Sequence, residues 1–198
     1  MNASKTELLL AVGRVVAAFD ALGVEYLVGG SVASSVFGEP RQTLDADLVA
    51  RLFGRHAKPL VQRLGKEFYA DLLTIEAAIK RQGSFNLIHL ETVTKVDVFV
   101  RWRDAFGQSQ FARRQKKTVG VQPPQELYFA SAEDTVLAKL EWYRKGACVS
   151  DRQWRDLVGV LKVQEGTLDQ AYLAAWAEKL GVADLLARAL NEAGIKRP

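Results

Sequence analysis

The chain is poor in cysteine: Cys148 is the only one among 198 residues. A single thiol excludes an intrachain disulfide and any cysteine-rich zinc site, and it points to the cytosol. No apolar run approaches the about 20 residues that span a bilayer, so no membrane is expected. Met1 to Glu7 lacks the positive-then-apolar order of a secretory signal. No internal repeat and no low-complexity tract is found. Charge of one sign is also scarce. The net charge is +4 with 25% charged residues, a weak pointer to polyanions at most. The two histidines, His56 and His89, have no partner motif and receive no role.

What is present is a set of carboxylates on apolar strands. Val28-Gly29-Gly30-Ser31 is followed by Thr43-Leu44-Asp45-Ala46-Asp47-Leu48, and later by Lys95-Val96-Asp97-Val98-Phe99-Val100. Side chains alternate across a strand, so Asp45 and Asp47 share a face, and so do Lys95 and Asp97. If the two strands are neighbours, three carboxylates converge. Such a cluster repels itself unless a positive charge sits in it. A hard divalent cation carrying a triphosphate is the natural occupant.

Helical and strand patterns divide the chain. Ser4 with Glu7 reads as a capping box for a helix of about five turns that stops at Gly23. Strands are expected at Val24–Val28, Leu44–Ala50, Phe85–Leu90 and Lys95–Val100, with further strands at Val119–Val121 and Glu126–Phe129. Helices are expected at His56–Leu64 and Asp71–Lys80. Arg101 to Lys117 reads as a basic, irregular stretch. After Phe129 the pattern is helical throughout, over 132–145, 151–163, 168–180 and 183–193, with Ser131 as the first cap. Strands first and helices last argue for an α+β core, residues 1–130, and a C-terminal helical subdomain, residues 131–198.

These motifs resemble the nucleotidyltransferase superfamily of polymerase-β-like and MNT-type proteins, and most closely the abortive-infection nucleotidyltransferase toxins. The first motif of that family is Gly-Ser, a loop, then Asp-x-Asp. It is matched by Gly30-Ser31, thirteen intervening residues and Asp45-Ala46-Asp47. The second, Lys-apolar-Asp, is matched by Lys95-Val96-Asp97. A third, a lysine inside an apolar helix, is matched by Lys139, and a fourth by Asp151 to Asp156. The loop is long for the family, and Trp154-Arg155-Asp156 stands where the toxins prefer a lysine before the Asp.

The resemblance implies a mixed β-sheet flanked by helices. It implies NMP transfer from an NTP to a hydroxyl with release of pyrophosphate, dependent on Mg²⁺ or Mn²⁺. Asp45, Asp47 and Asp97 would be the metal ligands and catalytic residues. Gly29, Gly30, Ser31, Arg41, Lys95, Lys139, Arg152 and Arg155 would contact the nucleotide, Gly29 and Gly30 by admitting phosphate close to the backbone. The acceptor is open among a tRNA, a protein and a small molecule, and an antitoxin partner is implied by the toxin relatives.

Each assignment has a plainer alternative. Asp45 and Asp47 could be solvent-facing residues of an edge strand. Lys95 could shield a sheet edge. Lys139 could snorkel to solvent, and Asp156 is best read as a salt-bridge partner. Six basic residues with Trp102, Phe106 and Phe111 in the 101–117 stretch could hold RNA, although a solvated loop is the simpler reading. Trp142, Trp154 and Trp176 read as core. A non-catalytic module that keeps the fold to bind nucleotide, RNA or a protein is the rival to the enzyme.

Overall fold

Period-two apolar runs in the first two thirds of the chain become strands, and period-3.6 runs in the last third become helices. The computed structural model describes residues 3–120 and 124–195, with side chains from residue 6 onward. The Ser4 side chain of the expected capping box and the end of the expected 119–121 strand lie outside the described residues. The helices are α1 (Ala3–Ala21), α2 (Gly30–Phe37), α3 (Gly54–Leu64), α4 (Leu72–Arg81), α5 (Ala105–Arg113), α6 (Ala132–Lys145), α7 (Asp151–Val163), α8 (Gln170–Lys179) and α9 (Ala183–Ala193). The strands are β1 (Tyr26–Val28), β2 (Asp45–Ala50), β3 (Phe68–Tyr69), β4 (Ser84–His89), β5 (Thr94–Val100), β6 (Gln115–Val119) and β7 (Gln125–Phe129).

The strands form one mixed sheet in the order β3-β4-β5-β2-β1-β7-β6. β2 and β5 pair in parallel, as do β1 and β7; the other pairs are antiparallel. This is the expected α+β fold with its mixed sheet, flanking helices and helical C-terminal part. β1 is buried along its whole length, as its uninterrupted Tyr-Leu-Val run requires. On β2 and β5, Ala46, Leu48 and Ala50 with Val96, Val98 and Val100 are buried together. That face of the sheet meets α1, and α4 packs on β4.

Packing divides the chain into two units. One comprises residues 1–29 and 42–129 and holds the entire sheet with α1, α3, α4 and α5. The other comprises 30–41 and 130–198, so that α2 packs with the later helices, against α6 and α7. Helix starts in both units follow local chemistry. The Asp71, Asp104, Ser131, Ser150 and Asp169 side chains each accept from a backbone N–H of the first turn.

Two local expectations change. The 101–117 stretch is ordered, as α5 followed by β6. Asp104 caps the helix by accepting from Gly107 N at 2.9 Å, and Phe106 and Phe111 are buried beneath it. The basic residues hid that apolar spacing. Several of them are paired: Arg101 with Asp104, Arg114 with Glu25, and Lys116 with Glu126. The second change is Trp142, which is exposed, while Trp154 is buried. The buried stripe of α6 runs through Val136, Leu140 and Tyr143, and position 142 lies one residue, about 100°, off that line.

Candidate functional site

In the first unit, β2 and β5 run side by side with Asp45 opposite Lys95 and Asp47 opposite Asp97. Alternation then places Asp45, Asp47, Lys95 and Asp97 on one face, because Ala46, Leu48, Val96 and Val98 are all buried on the other. The expected convergence of the two strands is therefore present in the register itself. β5 is an interior strand, so Lys95 does not guard an edge. Asp97 also stands opposite Asn86 of β4. The alternation Phe85-Asn86-Leu87 marks Asn86 as the outward residue of its strand. At the end of β1, Gly29 N–H donates to the Asp47 carbonyl at 2.9 Å, which ties the glycine turn to the acidic strand.

The electrostatics of this face centre on Lys95. Its ammonium lies 2.8 Å from Asp97 Oδ2. The hydrogen bond to Asp97 raises the Lys95 pKa above its ordinary value; burial opposes it, and the charges of Asp97, Asp45 and Asp47 add to the rise. One side chain thus feels all three carboxylates. Among the described residues, no group of three or more His, Cys, Asp or Glu side chains is arranged as a metal site. The Lys95 ammonium supplies positive charge beside these carboxylates. The donor set itself is hard oxygen, without histidine or thiolate, and suits magnesium or manganese rather than zinc.

The second unit contains the other expected residues. Gly30 opens α2 at φ 53°, a left-handed conformation that favours glycine. Ser31 follows it, and its Oγ accepts from Arg41 Nη2 at 2.5 Å. Arg41 forms a two-pronged pair with Asp156, Nε to Oδ1 at 2.8 Å and Nη2 to Oδ2 at 2.9 Å. Lys139 Nζ reaches the same Oδ2 at 2.9 Å. Asp156 is thus the hub that joins α2, α6 and α7. Burial pushes its pKa up, but the Arg41 hydrogen bond and the Lys139 charge outweigh burial and hold it below the usual carboxylate value. Lys139 is buried and does not snorkel. Arg152 and Arg155 are exposed on α7, and among the described residues neither side chain makes a hydrogen bond or ion pair.

The two histidines are structural. His56 Nδ1 accepts from Phe53 N at 3.2 Å at the start of α3, and burial lowers its pKa. His89 Nδ1 lies 2.9 Å from Thr92 Oγ1 in the β4–β5 turn.

The sequence matches no family model and no curated protein. Solved structures do match. The solution structure of the antibiotic-resistance factor ANT(2'')-Ia is 14% identical, with a TM-score of 0.60 over 93% of this chain and 98% of that one. The crystal structure of ANT(2'')-Ia in complex with adenylyl-2''-tobramycin is also 14% identical, with a TM-score of 0.52 over the same shares of each chain. At this identity the likeness is one of fold, and the chain has the nucleotidyltransferase-type fold.

Proposed function

We propose that the chain is a nucleotidyltransferase that moves an NMP from an NTP to a hydroxyl acceptor. The observation that carries this reading is the register of β2 and β5, which sets Asp45, Asp47 and Asp97 on one face of the sheet. Asp45, Asp47 and Asp97 would hold Mg²⁺ or Mn²⁺ there. When bound, the cation supplies charge neutralisation at the α-phosphate and acidifies the attacking hydroxyl. The acceptor oxygen attacks the α-phosphorus, the bond to the β-phosphate oxygen breaks, and pyrophosphate leaves. Asp97 accepts the hydroxyl proton. Lys95 moderates the repulsion among the three carboxylates and would meet a phosphate oxygen.

The acceptor class rests on the fold likeness. A structure of ANT(2'')-Ia holds adenylyl-2''-tobramycin, which supports a hydroxyl-bearing small molecule ahead of a tRNA or a protein. The toxin role and an antitoxin partner rest on the sequence resemblance alone.

The test is transfer of label from an NTP radiolabelled at its α-phosphate, with Mg²⁺ and separate pools of aminoglycosides, tRNA and lysate protein. Label should appear in one pool and fall by about 10²-fold or more in Asp45→Ala and Asp97→Ala. Transfer that survives both substitutions refutes the assignment.

A further inference from the structure

Among the described residues, β6 is the last strand of the sheet and pairs with β7. Gln115, Lys116, Lys117 and Thr118 are exposed, and Val119 is half-buried. A strand at a sheet edge turns a row of N–H and C=O groups away from its neighbour, ready to pair with another chain. At the opposite edge β3 has two residues, too short to serve as such a template. A groove of about 500 Å³ lies beside β6, between α1 and the β6–β7 pair. Leu9, Leu10, Val16, Val119 and Leu127 wall it, and Leu10 is 43% exposed. Gln125 enters the groove from β7, and its Oε1 is buried with no hydrogen-bond partner among the described residues. Gly13 makes room for that amide, since a Cβ there would lie 2.5 Å from Oε1. Gln125 therefore points toward α1. Val119 stands opposite Gln125 and Lys117 opposite Leu127, so Gln115, Lys117 and Val119 share the α1 face. The face toward α1 is the opposite of the one that carries Asp45, Asp47 and Asp97.

We propose that β6 and this groove are a docking site for an extended acidic peptide, which adds to the seven-stranded sheet as one further strand. Main-chain pairing with β6 supplies the hold, and alternate side chains supply the choice of partner. On the α1 face, an apolar side chain beside Val119 covers the groove, and a carboxylate beside Lys117 meets its ammonium. An N–H brought into the groove pairs with Gln125 Oε1, an acceptor that is costly to leave buried and alone. Charge decides which strand fits. β6 carries two lysines and no acidic residue. Lys116, on the other face, holds Glu126 at 2.7 Å and is still half exposed. A second copy of this chain, paired antiparallel about Lys117, would set Lys117 against Lys117, and like charges directly opposite are destabilising. Lysines on an edge strand discourage such self-pairing. The same two charges attract a strand rich in Glu or Asp. The transfer reading makes no use of this face.

The probe is a fluorescein-labelled peptide that alternates Glu and Val, with a peptide that alternates Lys and Val as control. Each is titrated into the full chain by fluorescence polarisation, and amide hydrogen exchange of the complex reads the added strand. The acidic peptide should bind and slow exchange within residues 115–119, and the basic one should not bind. Lys117→Glu and Leu10→Asp, both at exposed positions, should each weaken binding about ten-fold. Asp45→Ala should keep peptide binding at the wild-type level. The proposal is overturned if the acidic peptide fails to bind, binds without slowing exchange in 115–119, or binds Lys117→Glu as well as wild type. A chain that dimerises in sedimentation and already protects 115–119 makes a second copy the occupant and overturns it as well. So does a single-stranded RNA that displaces the peptide and protects the same amides. If the peptide binds as described but no NMP is transferred, the transfer reading alone fails. If transfer is found and the peptide leaves β6 unprotected, this inference alone fails.

Discussion

Asp156→Asn keeps the shape of the side chain and removes its charge, so it isolates the hub that holds α2, α6 and α7. Three charge-assisted contacts of 2.8 to 2.9 Å converge on this carboxylate. The Asp156 and Lys139 side chains are each 9% exposed and Arg41 is 24% exposed. Removing one member of a fully buried pair costs about 3–5 kcal/mol, because the remaining charge loses its compensation. The partial exposure of Arg41 points to the lower end, about 3 kcal/mol. For a chain of this size that is roughly a 6–12 °C fall in melting temperature. Scanning calorimetry or circular dichroism reads it directly. The acid limb supplies an internal check. The folded pKa of Asp156 lies below its ordinary value of 3.8. Its stabilisation is therefore complete above 3.8 and is lost as pH falls through the folded pKa. The gap between wild type and variant should hold at neutral pH and close in acid below about 4. A variant that melts within about 2 °C of wild type at neutral pH, or a gap that persists in strong acid, refutes the argument.

Three further outcomes follow from local geometry. A Cβ at Gly38 would lie 2.8 Å from Val160 N and 3.0 Å from Ser34 O, both backbone atoms, so Gly38→Ala should lower stability by about 1–3 kcal/mol in urea denaturation. Ala147 sits at φ 56° in the α6–α7 turn, and Ala147→Gly should raise stability by about 0.5–1 kcal/mol; a loss would contradict the strain argument. The Lys95 side chain is 40% exposed, so Lys95→Ala should change stability by less than about 1 kcal/mol while lowering transfer, and a large loss of stability would make Lys95 structural.

How far the sequence carried the account depends on whether a signal was local. Alternation in Asp45-Ala46-Asp47 and Lys95-Val96-Asp97 fixed which residues share a face, because period two is a property of the strand itself. That the strands are parallel neighbours in register is tertiary, and only the motif resemblance anticipated it. The last four helices were legible nearly to their ends, since Ser131, Ser150 and Asp169 are caps and Gly146 and Gly194 close their helices. The two-residue strand Phe68–Tyr69 was not legible, for it is defined by pairing with His89 and Ile88. The sequence shows Lys139 on an apolar helix face, but its partner lies seventeen residues away on another helix. Trp142 misled because hydrophobicity alone suggests burial, while the phase of α6 decides it. Asn86 carries no signal of its own in the sequence, because only its cross-strand neighbour, Asp97, gives it meaning.

The central claim is that Asp45, Asp47 and Asp97 act as one oxygen cluster toward a divalent cation and its nucleotide. Electron paramagnetic resonance of Mn²⁺ titrated into the protein with ATP tests it most directly. The account predicts bound Mn²⁺ in wild type and a loss of that signal in Asp47→Asn and in Asp97→Asn alike. Undiminished Mn²⁺ binding in either variant would contradict it.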